Sequence, residues 1–329
     1  MSATVVRLGG IEDTLAFVPH LLGFAPHGAL VALALTGPRD RVDFTMHVAM
    51  APGAPSVSAM AESFVRQGGA TAVVIAYKEP EEPTPPVEEL ARVLADQGVD
   101  VRQSVTVVGE HWTAPSCGAQ CPPEGHLVPG PDSRLAAEGV LLGSAPATSR
   151  TAAAKQVAEG PRAGQVGALV AQIGATVDRD EGLRVWASIL AGTEPVESIE
   201  DIAVARAAAV VKGGSGVRDA ILASVCVGLF PGTEMTEYAQ VSAALAVPWT
   251  NPRDESARTA VDRLAQVVTM LPDEHAVPLL CVLAMFGWWT AQTLPATMAA
   301  ERALEADPRC RLAHLAVMAL SGLRPPAAD

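Results

Sequence analysis

A chain of 329 residues is long enough for about two domains at roughly 150 residues each. Hydrophobic residues make up 49% and aromatics only 4%, so the core is large but aliphatic and rich in alanine. A net charge of −13 without any run of Lys or Arg argues against a phosphate-neutralising nucleic-acid surface. Five cysteines, an odd number, argue against a disulfide framework.

In chain order, residues 1–110 alternate between helix and strand signals. Residues 11–22 carry Leu15, Val18 and Leu22 on one face, with Pro19 predicted to shorten or kink the helix. An apolar run at 29–35 and an alternating run at 42–49 predict a β-hairpin, its turn at Thr36-Gly37-Pro38-Arg39-Asp40. A helix over 56–67, a strand over 71–77, a helix from Pro85-Pro86 to Gln97 and a strand over 99–108 follow. The last three form a β-α-β unit with parallel strands. The fold expected here is an α/β domain with a mixed sheet and helices packed on it. Residues 111–132 read as a connector loop rich in Cys, His, Pro and Gly. From Ser133 onward only helices are predicted, at 134–142, 150–158, 165–177, 181–190, 200–211, 217–229, 235–245, 255–270, 277–291, 296–306 and 309–320, giving an all-α domain over 133–329. The stretch 279–308, with Trp288-Trp289 closing one helix, has the form of a single tetratricopeptide-like hairpin.

Two constellations carry potential chemistry. In the connector, His111, Cys117, Cys121 and His126 are ligand types that suit Zn²⁺, and four of them could close a tetrahedron. The alternatives are a loop with two free thiols, or a redox role for Cys117 and Cys121. In the first domain, His20 and His27 flank a turn, and Asp43 and His47 lie four residues apart on one strand, hence on one face. Together they could bind a metal or exchange protons; otherwise they are a solvated sheet face and a helix-ending histidine. Cys226, Cys281 and Cys310 sit in apolar helical stretches and read as small buried hydrophobes. No phosphate-binding loop, dinucleotide fingerprint, G-x-S-x-G elbow or H-E-x-x-H pair is present, so no catalytic residue is assigned and an enzyme is not the expectation. Trp288 and Trp289 are adjacent, so one ring should face the core and the other, with Trp112, an interdomain or partner surface.

The run Val18-Pro19-His20-Leu21-Leu22-Gly23-Phe24-Ala25-Pro26, the Trp112, Cys117 and Cys121-Pro122-Pro123-Glu124-Gly125 segment, Val217-Arg218-Asp219 and the 288–308 hairpin together resemble an actinobacterial family called domain of unknown function 4192, across nearly the whole chain. That resemblance implies no activity and no site residues. With no leader after Met1 and no membrane-length apolar run, the expectation is a cytoplasmic accessory or scaffolding protein with a protein partner. The alternative is a metal-binding protein or metal-dependent enzyme, with zinc the only cofactor indicated.

Overall fold

The computed structural model describes residues 8–37, 41–50, 55–83, 85–141, 144–192, 194–230 and 236–322. In the first half a six-stranded sheet grows outward from two unbroken apolar runs, β1 (Ala29–Thr36) and β3 (Thr71–Lys78). Strands covered on both faces read as continuous apolar runs, not as alternating ones. β2 (Arg41–Ala49) pairs antiparallel with the outer side of β1, and β1 pairs antiparallel with β3. β4 (Asp100–Val108) lies parallel to β3 after a crossover through α3 (Val87–Asp96). The expected hairpin strands and the β-α-β unit are thus both present; residues 38–40 of the hairpin turn lie outside the described residues. Two further strands, β5 (His111–Thr113) and β6 (His126–Leu127), complete the order β2-β1-β3-β4-β5-β6.

Helices cover both faces. α2 (Val57–Arg66) and α3 bury Met60, Phe64, Leu90 and Leu94 against Leu30, Ala32, Val74 and Ala76. On the opposite face α1 (Ile11–Leu22) buries Leu15 and Val18 against Val31, Leu33, Ile75, Val105 and Val107. Pro19 does not end α1: it falls in the last turn. The helix stops at Gly23, whose left-handed φ of 79° lets its N–H reach the Pro19 carbonyl at 2.7 Å. α4 (Arg134–Leu141) packs on α1, and α5 (Arg150–Ala154) follows.

The chain divides into two compact units between Ala153 and Ala154. The connector expected over 111–132 is therefore not a linker. Its ends are strands of the sheet, and the first unit continues well beyond it. Strands of three and two residues are too short to show a period of two, which is why they read as loop.

The second unit is helical throughout its described residues. It comprises α6 (Ala163–Ile173), α7 (Arg179–Ala191), α8 (Asp201–Lys212), α9 (Ser215–Val225), α10 (Tyr238–Leu245), α11 (Glu255–Thr269), α12 (Asp273–Trp289), α13 (Thr293–Ala306) and α14 (Arg311–Gly322). α12 is the hub: α8, α9, α11, α13 and α14 all pack on it, and its side chains from Leu279 to Trp289 are buried all round. It starts at Asp273 instead of at the expected 277, because Pro278 sits in its second turn and not at its first position. The expected hairpin is α12 and α13, which approach closely at Gly287, where a β-carbon would stand 3.0 Å from that of Ala296. No helix among the described residues is long and apolar enough to cross a membrane.

Arginines hold the ends of these helices. Arg302 on α13 is 8% exposed; it donates to the carbonyls of Val268 at 2.9 Å, Leu271 at 2.8 Å and Val157, and to Asp273 Oδ1 at 2.8 Å. Arg263 on α11 is bound to the carbonyls of Ile189 at 2.7 Å and Glu194, and Arg162 to those of Glu197 at 3.1 Å and Ile199. Such groups supply donors that a helix end cannot find within itself. Arg302→Met should lower stability by about 3 kcal/mol, because buried carbonyls lose their donor at roughly 1 kcal/mol or more each. Arg302→Lys should restore only part of it, since one ammonium cannot span the set. Urea-denaturation midpoints check both.

Candidate functional site

Among the described residues, one set of three His, Cys, Asp or Glu side chains has its donor atoms all within 4.8 Å of one another: Cys117, Cys121 and His126. The local chain explains the grouping. After β5, Pro115 opens a short 3-10 turn (Pro115–Gln120) that places Cys117, its N–H bound to the Ala114 carbonyl at 3.0 Å. Gly118 turns the backbone with φ 55°, and Cys121 follows with its N–H on the Gly118 carbonyl at 3.4 Å. Pro122-Pro123-Glu124-Gly125 then reverses the chain, closed by the Gly125 N–H on the Pro122 carbonyl at 2.9 Å. Gly125 has φ 85°, and a β-carbon there would stand 2.8 Å from the Trp112 carbonyl, so glycine is what permits β6 to return beside β5.

β6 brings His126 back to the thiols. Cys117 Sγ lies 3.4 Å from His126 Nε2, and the Trp112 ring stacks on the imidazole with centroids 4.6 Å apart at 25°. Trp112 itself is 6% exposed and packs in the α1-side core, so the imidazole is backed by a fixed surface. A hydrogen bond with Cys121 is the main influence raising the Cys117 thiol above its ordinary value. Two sulfurs and an imidazole nitrogen at these separations could hold a metal ion.

His111 does not belong to the set. In β5 it is adjacent to Trp112, and successive strand residues point to opposite faces. Pairing sets Trp112 opposite His126 and His111 opposite Leu127. The four-ligand constellation expected from sequence is therefore a three-ligand one.

Trp112 and the one of Trp288 and Trp289 expected at a surface are in the core, as is the remaining ring of that pair. Trp112, Trp288 and Trp289 are 6%, 5% and 1% exposed. The expectation that adjacent rings on a helix cannot both be buried holds for a helix with one apolar side. α12 is apolar on all sides, so both rings find partners, Trp289 facing Phe286 at 6.2 Å.

His20, His27, Asp43 and His47 do not assemble into such a donor set. His20 stacks on Phe17 at 5.6 Å, with a buried, unpartnered Nδ1. Its ring lies so near Gly139 of α4 that a β-carbon there would come within 2.4 Å of Nδ1. His27 is exposed and 3.4 Å from Glu79. Pairing steps from Phe44 opposite Ala34 to Val42 opposite Leu35, so Asp43 falls at a bulge and the alternation meant to align it with His47 is broken. His47 is largely buried against Phe24, ring centroids 5.0 Å apart and edge to face. Burial, reinforced by the nearby Arg150 charge, lowers its pKa to about 4. With an ordinary value near 6.5 in the unfolded chain, the unfolded state takes up the proton first as pH falls. Stability is therefore full above about pH 6.5 and lost towards pH 4, by about 2–3 kcal/mol from this ring. His47→Gln should flatten that dependence, read from denaturation midpoints between pH 7 and pH 4.

Searches of curated proteins and of solved structures find no match to the chain. The family model described as a domain of unknown function (DUF4192) matches residues 12–327, taking in the sheet, the Cys/Cys/His turn and the helical unit together. The chain accordingly belongs to the DUF4192 family.

Proposed function

We propose that this protein binds a zinc ion through Cys117, Cys121 and His126. The observation that carries the reading is the convergence of their donor atoms within 4.8 Å. Thiolate and imidazole donors are the usual zinc set. Tetrahedral zinc with about 2.3 Å to sulfur and about 2.0–2.1 Å to nitrogen separates those atoms by roughly 3.6 Å. The Cys117 Sγ to His126 Nε2 distance of 3.4 Å is close to that separation. Three protein donors leave a fourth place for water or a substrate atom, the pattern of sites that do chemistry rather than of closed structural sites. The stacked Trp112 favours one orientation of the imidazole, as outer-shell groups do around metal ligands.

A second reading, an accessory protein acting through its helical unit, draws on Leu315 and Met318. These lie one turn apart on α14 and are 55% and 66% exposed. The metal reading is preferred because it rests on a convergent donor set, whereas scattered exposed apolar side chains are ordinary.

Purified full-length protein, prepared without an affinity tag, should carry or take up about one zinc per chain, measured by elemental analysis and calorimetry. Uptake should release about two protons per ion, since a thiol must lose its proton to become a metal ligand. Cys117→Ser/Cys121→Ser and His126→Ala should each weaken binding by more than about 100-fold, beyond the effect of losing an outer-shell group. His111→Ala should leave it unchanged. A wild-type chain that takes up no zinc, or a His111→Ala variant as impaired as His126→Ala, overturns the assignment.

A further inference from the structure

A second pair of cysteines lies in the helical unit. Cys281, in the middle of α12, and Cys310, immediately before α14, have their sulfurs 3.5 Å apart. Both line a cleft of about 360 Å³ whose polar wall includes Lys212, Arg218, Glu274 and Asp307. The two sulfurs differ in access: Cys281 is fully buried and Cys310 partly exposed. The backbone holds Cys310 in place. Its N–H donates to the Asp307 carbonyl at 3.0 Å, and its carbonyl accepts the first N–H bond of α14, from His314 at 3.2 Å. Pro278, one turn before Cys281, removes an N–H from α12 on the side where the cleft lies.

Sulfurs already in contact need only a small further approach to reach the bonded distance of about 2.05 Å. We propose that Cys281 and Cys310 are a redox-modification site, a dithiol that closes to a disulfide pinning α12 to the start of α14 when a small disulfide enters the cleft. With a small disulfide the exchange runs in two steps. Cys310, the accessible sulfur, attacks one sulfur of the oxidant and releases the other as a thiol. Cys281 then attacks the Cys310 sulfur and releases the second thiol. The protein loses two protons and two electrons, and the oxidant takes them up to leave as two thiols. Burial pushes the Cys281 thiol up, so it is a poor first attacker; its contact with Cys310 at 3.5 Å is what brings it to the second step.

The test treats the reduced full-length chain with oxidised glutathione. It uses wild type and a Cys117→Ser/Cys121→Ser background, in which only Cys226, Cys281 and Cys310 remain. In that background free thiols, counted after denaturation, should fall from three to one. Peptide mapping of both chains should show Cys281 joined to Cys310, and dithiothreitol should reverse the change. Closing a 29-residue separation should raise the helical unit's melting transition by about 5–10 °C, an effect absent in Cys310→Ser. Thiols that stay at three, or a glutathione adduct that persists on Cys310 with Cys281 free, overturn the proposal. Because the mapping uses the unsubstituted pair, its outcome does not depend on how Cys310→Ser folds.

Discussion

The helical unit depends on burying one helix on every side. α12 offers solvent almost nothing beyond its first turns, so five other helices have to surround it, and α13 comes closest to its backbone where Gly287 meets Ala296. Close packing traps the ends of those helices away from water. A helix end has carbonyls without partners, and leaving them unmet in a dry interior is costly. The unit meets that need with guanidinium groups: Arg302 serves the end of α11, Arg263 the end of α7, and Arg162 the segment leading into α8. Beside these arginines, the buried indoles of Trp186 and Trp249 donate to the carbonyls of Ala207 and Val225, each at 2.9 Å, and add directional bonds within the unit.

In the first unit the equivalent constraint is register. Which of the Cys and His residues in 111–126 share a face is decided by the pairing of two very short strands. A shift of one residue would set His126 opposite His111 instead of Trp112, turn it to the other face and empty the donor set. The turn at Gly125 and the stacking of Trp112 on His126 both favour the observed register, so the groups that shape the loop also bring the donors together.

Much of the architecture was legible in the sequence. The long apolar runs of β1 and β3, the crossover through α3 and the helical second half follow from periodicity and from Pro and Gly punctuation. What was not legible depends on neighbours distant in the chain. β5 and β6 are too short for any pattern. The bulge at Asp43 leaves no mark in an alternating run. The burial of both Trp288 and Trp289 requires knowing that α12 has packing partners all round. The candidate metal site was half legible: residue types and loop were apparent, but the exclusion of His111 needed the strand pairing. The contact between Cys281 and Cys310 was hidden because each, taken alone, reads as a small apolar residue in a helical stretch.

The acceptors that Arg302 reaches at Val157, Val268 and Leu271 are main-chain atoms, present whatever side chain stands there. The three positions can therefore exchange one aliphatic residue for another without breaking the clamp. Sequence drift around it is absorbed by the backbone, and the whole arrangement is vulnerable to change at one codon, that of the arginine.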